Sequence, residues 1–129
     1  MKQHVLDLLR KHNIQYHAND YKEGKAWFCL GRPTVEIPRM DDDISYFIAL
    51  HEIGHFVGPR QENWCRILES ELGAWEWAIY NAEYLTDEMV EFAREALGTY
   101  LKGRAKSTQE KYEHLLDKAL KNCLSLIVA

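Results

Sequence analysis

The chain has 129 residues, of which 47% are hydrophobic and 28% are charged, so it is long enough for one compact domain with a core. Its 16 basic and 20 acidic side chains give a net charge of −4, which argues against a nucleic-acid binder that neutralises phosphates. The N-terminus has no long uncharged apolar run, so neither a signal peptide nor a membrane span is predicted. We therefore expect a cytoplasmic protein with no nucleic-acid or membrane partner.

The three cysteines, Cys29, Cys65 and Cys123, have no spacing typical of a zinc knuckle or a redox motif. We interpret them as reduced thiols of the core, as expected in the cytoplasm. Neither a disulfide framework nor a cysteine metal site is predicted.

The N-terminal part of the chain combines a helical pattern with two strand patterns. Apolar residues at helical spacing predict a short amphipathic helix over residues 3–12. Residues 25–30 and 34–38 flank Gly31-Arg32-Pro33, a turn signal, and together they predict a β-hairpin. Pro38 either ends the second strand or places it at an edge of the sheet.

Four further helices are predicted in the rest of the chain. The aspartates at 41–43 can cap a helix over residues 43–57, which Gly58-Pro59 stops. The later helices begin at the caps Asn63, Thr86 and Ser107 and end near residues 84, 103 and 126. The expected fold is α+β and mostly helical: one zincin-like domain over 1–129, with a core to about 85 and a helical tail over 86–129.

Residues 51–55 carry the chemistry, because they read His-Glu-Ile-Gly-His. Two histidines four residues apart lie on one face of a helix, so both imidazoles can reach one metal ion. Glu52 lies beside the first ligand, where it can take a proton from a zinc-bound water, as in metalloproteases.

The helix around this motif is apolar nearly all round, which indicates that it is buried. Burying Glu52 and two imidazoles without partners is costly, whereas a metal and its water would satisfy all three. Gly54, inside the same helix, suits a close approach by something such as a neighbouring backbone or a substrate, and the alternative is a simple packing contact.

A catalytic zinc site needs a third protein ligand. A histidine six residues after His55 is excluded, because that position is Gln61. Glu69 recurs with Glu76 and Glu83 every seven residues, on a face that we expect to be solvated, whereas Glu71 lies on the opposite, apolar face. We therefore choose Glu71 over Glu69. The alternative is that Glu71 pairs with a buried arginine.

These residues resemble a known family. The run Tyr46-Phe-Ile-Ala-Leu-His-Glu-Ile-Gly-His55, followed by Glu71-x-x-Ala74-x-x-Trp77-Ala78, is similar to the ImmA/IrrE-type metallopeptidases, gluzincin-like zincins common in phages and mobile elements. The resemblance covers about residues 25–85. It implies His51, His55 and Glu71 as ligands, Glu52 as the base, and a protein substrate such as a repressor or host regulator.

The sequence thus predicts a zinc metallopeptidase with one Zn²⁺ per chain, in which Glu52 activates zinc-bound water to hydrolyse a peptide bond. The alternative is a non-catalytic, zinc-containing regulator that only binds a protein. A purely structural zinc site is a third reading, against which Glu52 argues. The candidates for stabilising the oxyanion are Tyr46, Tyr80, Tyr84 and His17, and the candidate cleft walls are Trp64, Trp75 and Trp77.

Overall fold

The computed structural model describes residues 2–39, 41–63 and 66–128, with the backbone alone at residue 63 and at residues 124–128. Within these residues it has five helices and a three-stranded sheet, which confirms the α+β, mostly helical fold. No helix in the described part is long and apolar enough to span a bilayer. The elements are α1 (Gln3–Lys11), β1 (Gln15–Asn19), β2 (Lys25–Cys29), β3 (Arg32–Pro38), α2 (Asp43–Val57), a 3₁₀ turn (Gln61–Asn63), α3 (Ile67–Asn81), α4 (Asp87–Leu101) and α5 (Lys106–Val128).

The sheet has the order β1-β3-β2, with β1 parallel and β2 antiparallel to β3. The predicted hairpin is present, but its turn is Leu30-Gly31, whose φ angles of 52° and 78° fit a tight turn that matches the strand twist. Arg32 and Pro33 therefore open β3 instead of forming the turn. Pro38 ends β3, which is the central strand and not an edge. The strand β1 was not predicted.

Two of the predicted helix caps are present. The Asp42 carboxylate accepts a hydrogen bond of 2.7 Å from the Ser45 N–H, and α2 has the predicted bounds. The Thr86 hydroxyl accepts a bond of 3.1 Å from the Met89 N–H at the start of α4.

The other two predicted caps are wrong. Asn63 lies in the 3₁₀ turn, and α3 begins only after Arg66, which makes no side-chain cap. Ser107 lies inside the first turn of α5, because that helix already begins at Lys106. In both places the sequence has a residue type that commonly caps helices, but the helix begins at a different residue.

One hydrophobic core joins the whole described chain, from Val5 of α1 to Cys123 of α5. The helices after residue 85 thus share the core of the preceding part. Cys123 is buried as predicted, whereas Cys29 at the end of β2 is exposed, so the prediction of a core thiol is wrong there. Cys65 lies outside the described residues.

Helices α2 and α3 pack closely where Gly54 meets Ala74. A Cβ atom on Gly54 would lie 2.7 Å from the Ala74 carbonyl oxygen and 3.0 Å from its Cα. The close approach at Gly54 is therefore made by a neighbouring backbone, in a helix packing contact. This contact brings the two helices together at the residue before His55 and three residues after His51.

Gly54→Ala should therefore lower the free energy of unfolding by about 1–2 kcal/mol, because overpacking outweighs the gain of up to about 1 kcal/mol in helix propensity. Urea unfolding measures the change. Gly98→Ala is the matched control, since a Cβ atom there meets nothing within 4 Å, and it should raise stability by about 0.5–1 kcal/mol. Equal effects of the two substitutions would contradict the packing argument.

Candidate metal centre

His51 and His55 lie one turn apart on α2, and their rings are 4.6 Å apart between centroids. His51 is buried, and its ring stacks on Trp75 of α3 at 4.0 Å and 19°. The stacking fixes the plane of the first imidazole. Both histidines of the motif therefore face the same neighbouring helix.

Glu71 of α3 reaches both histidines. Its Oε2 atom lies 2.5 Å from Nε2 of His55, and its Oε1 atom lies 3.3 Å from Nε2 of His51. The side chain is buried, as its place on the apolar face of α3 predicts. The three side chains chosen as ligands from the sequence thus converge, with Glu71 between the two Nε2 atoms.

Among the described residues no arginine pairs with Glu71, and Arg60 binds two other glutamates of α3. Arg60 Nε is 2.6 Å from Glu76 Oε1, and Arg60 Nη1 is 3.2 Å from Glu69 Oε2. The Tyr112 hydroxyl donates a 2.5 Å hydrogen bond to Glu69 Oε1. The prediction that this face is solvated is therefore wrong for Glu69 and Glu76, which form a charged cluster beneath α5, while Glu83 is exposed.

Ser70 and Gln61, which the sequence did not indicate, place a proton on one ring nitrogen of His55. The Gln61 amide nitrogen donates to the Ser70 carbonyl at 2.8 Å, so its oxygen accepts from the Ser70 hydroxyl at 2.7 Å. The Ser70 oxygen can then only accept from Nδ1 of His55, at 3.0 Å. His55 therefore carries a proton on Nδ1, and its Nε2 atom faces Glu71.

Glu52 likewise places a proton on Nδ1 of His51. Its Oε1 atom lies 3.0 Å from Nδ1 of His51, and because an ionised carboxylate only accepts, the ring proton lies on Nδ1. Nε2 of His51 is buried without a hydrogen-bond partner, since its 3.3 Å contact with Glu71 is an ion-pair distance without hydrogen-bond geometry. Each histidine thus uses Nδ1 for a contact within the protein and turns its Nε2 atom towards Glu71.

This arrangement demands a positive charge between the three groups. Burial lowers the pKa of His51, but contacts with the carboxylates of Glu52 and Glu71 outweigh it and raise the pKa to about 9. Burial raises the pKa of Glu71, but the two histidines outweigh it and lower the pKa to about 2. A proton shared with the imidazoles would supply the charge, and so would a metal cation.

The donor set fits zinc, which binds imidazole nitrogen and carboxylate oxygen. Ligand atoms of His51, Glu52 and His55 also lie within 4.8 Å of one another, so Glu52 is near enough to compete as a ligand. Glu52, however, contacts the Nδ1 side of His51, whereas Glu71 contacts both Nε2 atoms. Glu71 is therefore the better candidate for a third ligand, and Glu52 orients the ring of His51.

A cavity of about 940 Å³ opens over this cluster and is lined by His51, Glu52, His55 and Glu71. The backbone ahead of β2 closes one side, because a Cβ atom on Gly24 would lie 2.5 Å from Cγ of Glu52. That contact holds the Glu52 side chain at the cavity wall. A small molecule or a chain segment can therefore reach the cluster.

None of the four candidates for oxyanion stabilisation lines this cavity. Tyr46 binds His4 and the Glu83 N–H, Tyr84 binds Asp43, Tyr80 is exposed on α3, and His17 stacks on Trp27. Of the three tryptophans, Trp75 lines the cavity, Trp77 packs against the core, and Trp64 lies outside the described residues. Tyr100 of α4 does line the cavity, and no local sequence signal marked it.

Ser70→Ala should lower zinc affinity about 10–100-fold, because loss of a partner that orients a ligand typically has this effect. Titration of metal-free protein with zinc, against a competing chelator, measures the change. Ser107→Ala, at an exposed position of α5, is the control and should leave the affinity unchanged. An unchanged affinity in Ser70→Ala would show that the Ser70 bond does not orient His55.

Comparison of the chain with protein-family models, with curated proteins and with solved structures gave no match. The functional interpretation therefore depends on the geometry and chemistry of the site itself.

Proposed function

We propose that the protein is a zinc-dependent metallopeptidase of the ImmA/IrrE type that hydrolyses a peptide bond in a protein substrate. One observation carries the proposal. The Nε2 atoms of two imidazoles face the carboxylate of Glu71 in a buried cluster, at the floor of a cavity that Glu52 also lines. A hydrolytic zinc site needs this combination of a cation site, a neighbouring base and access for substrate.

His51, His55 and Glu71 would hold one zinc ion. When bound, zinc supplies Lewis acidity and lowers the pKa of a water ligand towards neutrality. Three protein ligands leave a position open for that water. The cavity above the cluster gives the substrate access to it.

Glu52 would move the proton during hydrolysis. It accepts a proton from the attacking water, whose oxygen forms a bond to the carbonyl carbon. As the C–N bond breaks, Glu52 returns the same proton to the leaving nitrogen, so charge and atoms balance. One carboxylate oxygen of Glu52 contacts His51, which leaves the other for the water.

The sheet beside the cavity suits an extended polypeptide. β2 pairs with β3 along one edge only, and its residues Ala26, Trp27 and Phe28 line the cavity. Within the described sheet, the other edge of β2 therefore has backbone groups free to pair with a substrate strand. This geometry supports a peptide over a small metabolite as the substrate.

Tyr100 would donate a hydrogen bond to the oxyanion. Burial, and then the negative charges of Glu71 and Glu52, raise the pKa of its hydroxyl, so it stays protonated as a donor. Tyr100→Phe should lower kcat about 10²-fold with little change in KM or zinc content. Tyr80→Phe, exposed on α3 away from the cavity, is the control. A change in KM alone would assign Tyr100 to substrate binding instead.

The rival proposal, a zinc-containing regulator that binds a protein without cutting it, shares the zinc site but gives Glu52 no chemical role. The buried base at an open cavity favours turnover. A repressor or host regulator is the proposed substrate, from the resemblance of the motif. As part of the same proposal the enzyme acts in the cytoplasm, since the exposed thiol of Cys29 suits a reducing compartment.

The test is a search for cleaved proteins. Zinc-loaded protein is incubated with a bacterial proteome, and new peptide termini are compared between wild type, chelator-treated wild type and wild type with zinc restored. We expect a reproducible set of cleavages that chelation removes and zinc restores. Stable complexes with no zinc-dependent cleavage would instead support the binding regulator.

A further inference from the structure

The cavity over the metal centre has two apolar walls. Ala26 and Phe28 of β2 form one wall together with Phe56 at the end of α2. Phe92 and Ala96 of α4 contribute to the other. The His51–Glu71 cluster lies at the floor between them, so any group that enters this space reaches the reactive atoms directly.

The α4 wall is a distinct face of its helix. Met89, Ala93, Leu97 and Leu101 are buried in the core, at helical spacing. The neighbouring face of α4 lines the cavity and consists of Phe92, Ala96, Thr99 and Tyr100. An amphipathic helix normally buries one apolar stripe. Phe92 and Ala96 of the second face are half-buried against the core, and their remaining surface borders the cavity, where a ligand can contact it.

The opposite wall contains exposed aromatic surface. Phe28 keeps 68% of its surface accessible, although its ring contacts Phe56 edge-on at 5.2 Å. The charged lining residues outside the catalytic cluster, Lys22 and Glu23, are both exposed. A charged substrate side chain between the two apolar walls would lose its hydration, and a pair with the solvent-exposed Lys22 or Glu23 would return little of that free energy.

From this geometry we infer that the cleft between β2 and α4 is a specificity site for a bulky apolar side chain, aromatic or leucine-like, next to the bond that is cut. The occupant is a substrate residue, because the cleft is continuous with the catalytic floor. The inference rests on the proposed function, because cleavage next to the bound side chain requires the peptidase activity. Binding by the cleft is nevertheless measurable without turnover.

The test uses capped tripeptides, acetyl-Gly-X-Gly-amide, with X as Phe, Leu, Ala or Glu. Dissociation constants are measured by NMR titration of zinc-loaded Glu52→Gln protein and of metal-free wild type. In both, we expect the Phe and Leu peptides to bind at least about tenfold more tightly than the Ala peptide, with the Glu peptide weakest. Equal affinities, or preference for Glu, would overturn the inference.

Matched variants locate the preference. Phe28→Ala should lower affinity for the Phe peptide about tenfold, whereas Leu30→Ala, 99% exposed in the adjacent turn and outside the cavity lining, should not. Ala96→Leu should weaken the Phe peptide and spare the Ala peptide, and Ala105→Leu, exposed beyond α4, is its control. Equal effects in each variant and its control would place the binding elsewhere.

The two proposals fail separately. Preferential binding of the Phe peptide with no zinc-dependent cleavage by wild type would leave the specificity site standing and remove the peptidase. Zinc-dependent cleavage at sites without an apolar neighbour would do the reverse.

Discussion

Glu52→Gln should retain about one zinc ion per chain and lower the rate of peptide hydrolysis about 10²–10⁴-fold. The amide keeps the shape of the carboxylate, so the cavity and the contact with Nδ1 of His51 change little. It has no basic oxygen, however, and leaves the attacking water without a proton acceptor. Metal analysis and initial rates on a substrate found in the cleavage search measure the two quantities.

Glu110→Gln, at an exposed position of α5, should change neither zinc content nor rate. Loss of zinc from Glu52→Gln would instead make Glu52 a ligand, a possibility that its distance to the histidines leaves open. Full activity with zinc retained would remove the assigned base. Each result therefore identifies a different error in the proposed site.

Glu71→Gln should lower zinc affinity at least about 10²-fold, beyond the 10–100-fold effect of a group that only orients a ligand. Glu71 provides the carboxylate between the two Nε2 atoms, and a neutral amide neither balances the charge of the metal nor binds it as strongly. Thermal unfolding with and without zinc gives a second measurement. Zinc should raise the Tm of wild type and have little effect on Glu71→Gln.

Glu69→Gln is the matched control, two residues earlier on the same helix. It should bind zinc normally but lower the free energy of unfolding by about 1–3 kcal/mol, because Glu69 pairs with Arg60 and accepts from Tyr112. Zinc loss in Glu69→Gln with retention in Glu71→Gln would reverse the choice between the two glutamates.

The parts of the fold that the sequence predicted are those with dense local signals. Helix α2 has an aspartate cap at Asp42, an apolar run and a Gly58-Pro59 stop, all within about 17 residues of sequence, and its bounds were correct. β1 lacks such signals, because Gln15–Asn19 contains no β-branched residue and only Tyr16 and Ala18 are apolar. It exists through parallel pairing with β3, a contact between distant residues that propensity does not encode.

The convergence of His51, His55 and Glu71 was predictable for the same reason. The spacing of His51 and His55 and the helical phase of Glu71 are local properties, and they suffice once two helices face each other. Ser70, Gln61 and Tyr100 depend on how loops and helices meet in space. Helical phase indicates that Tyr100 leaves the core-facing stripe of α4, but only the packing of α4 determines what it meets.

The two faces of α4 divide what this protein must keep from what it can vary. Buried residues such as Leu97 anchor the helix, so replacing them with smaller residues would lower the free energy of unfolding. Ala96, one position earlier, borders the cavity and can change in size while the anchor remains. Under the proposed function, substitutions on one side of a single helix would thus change the preferred target at little cost in stability.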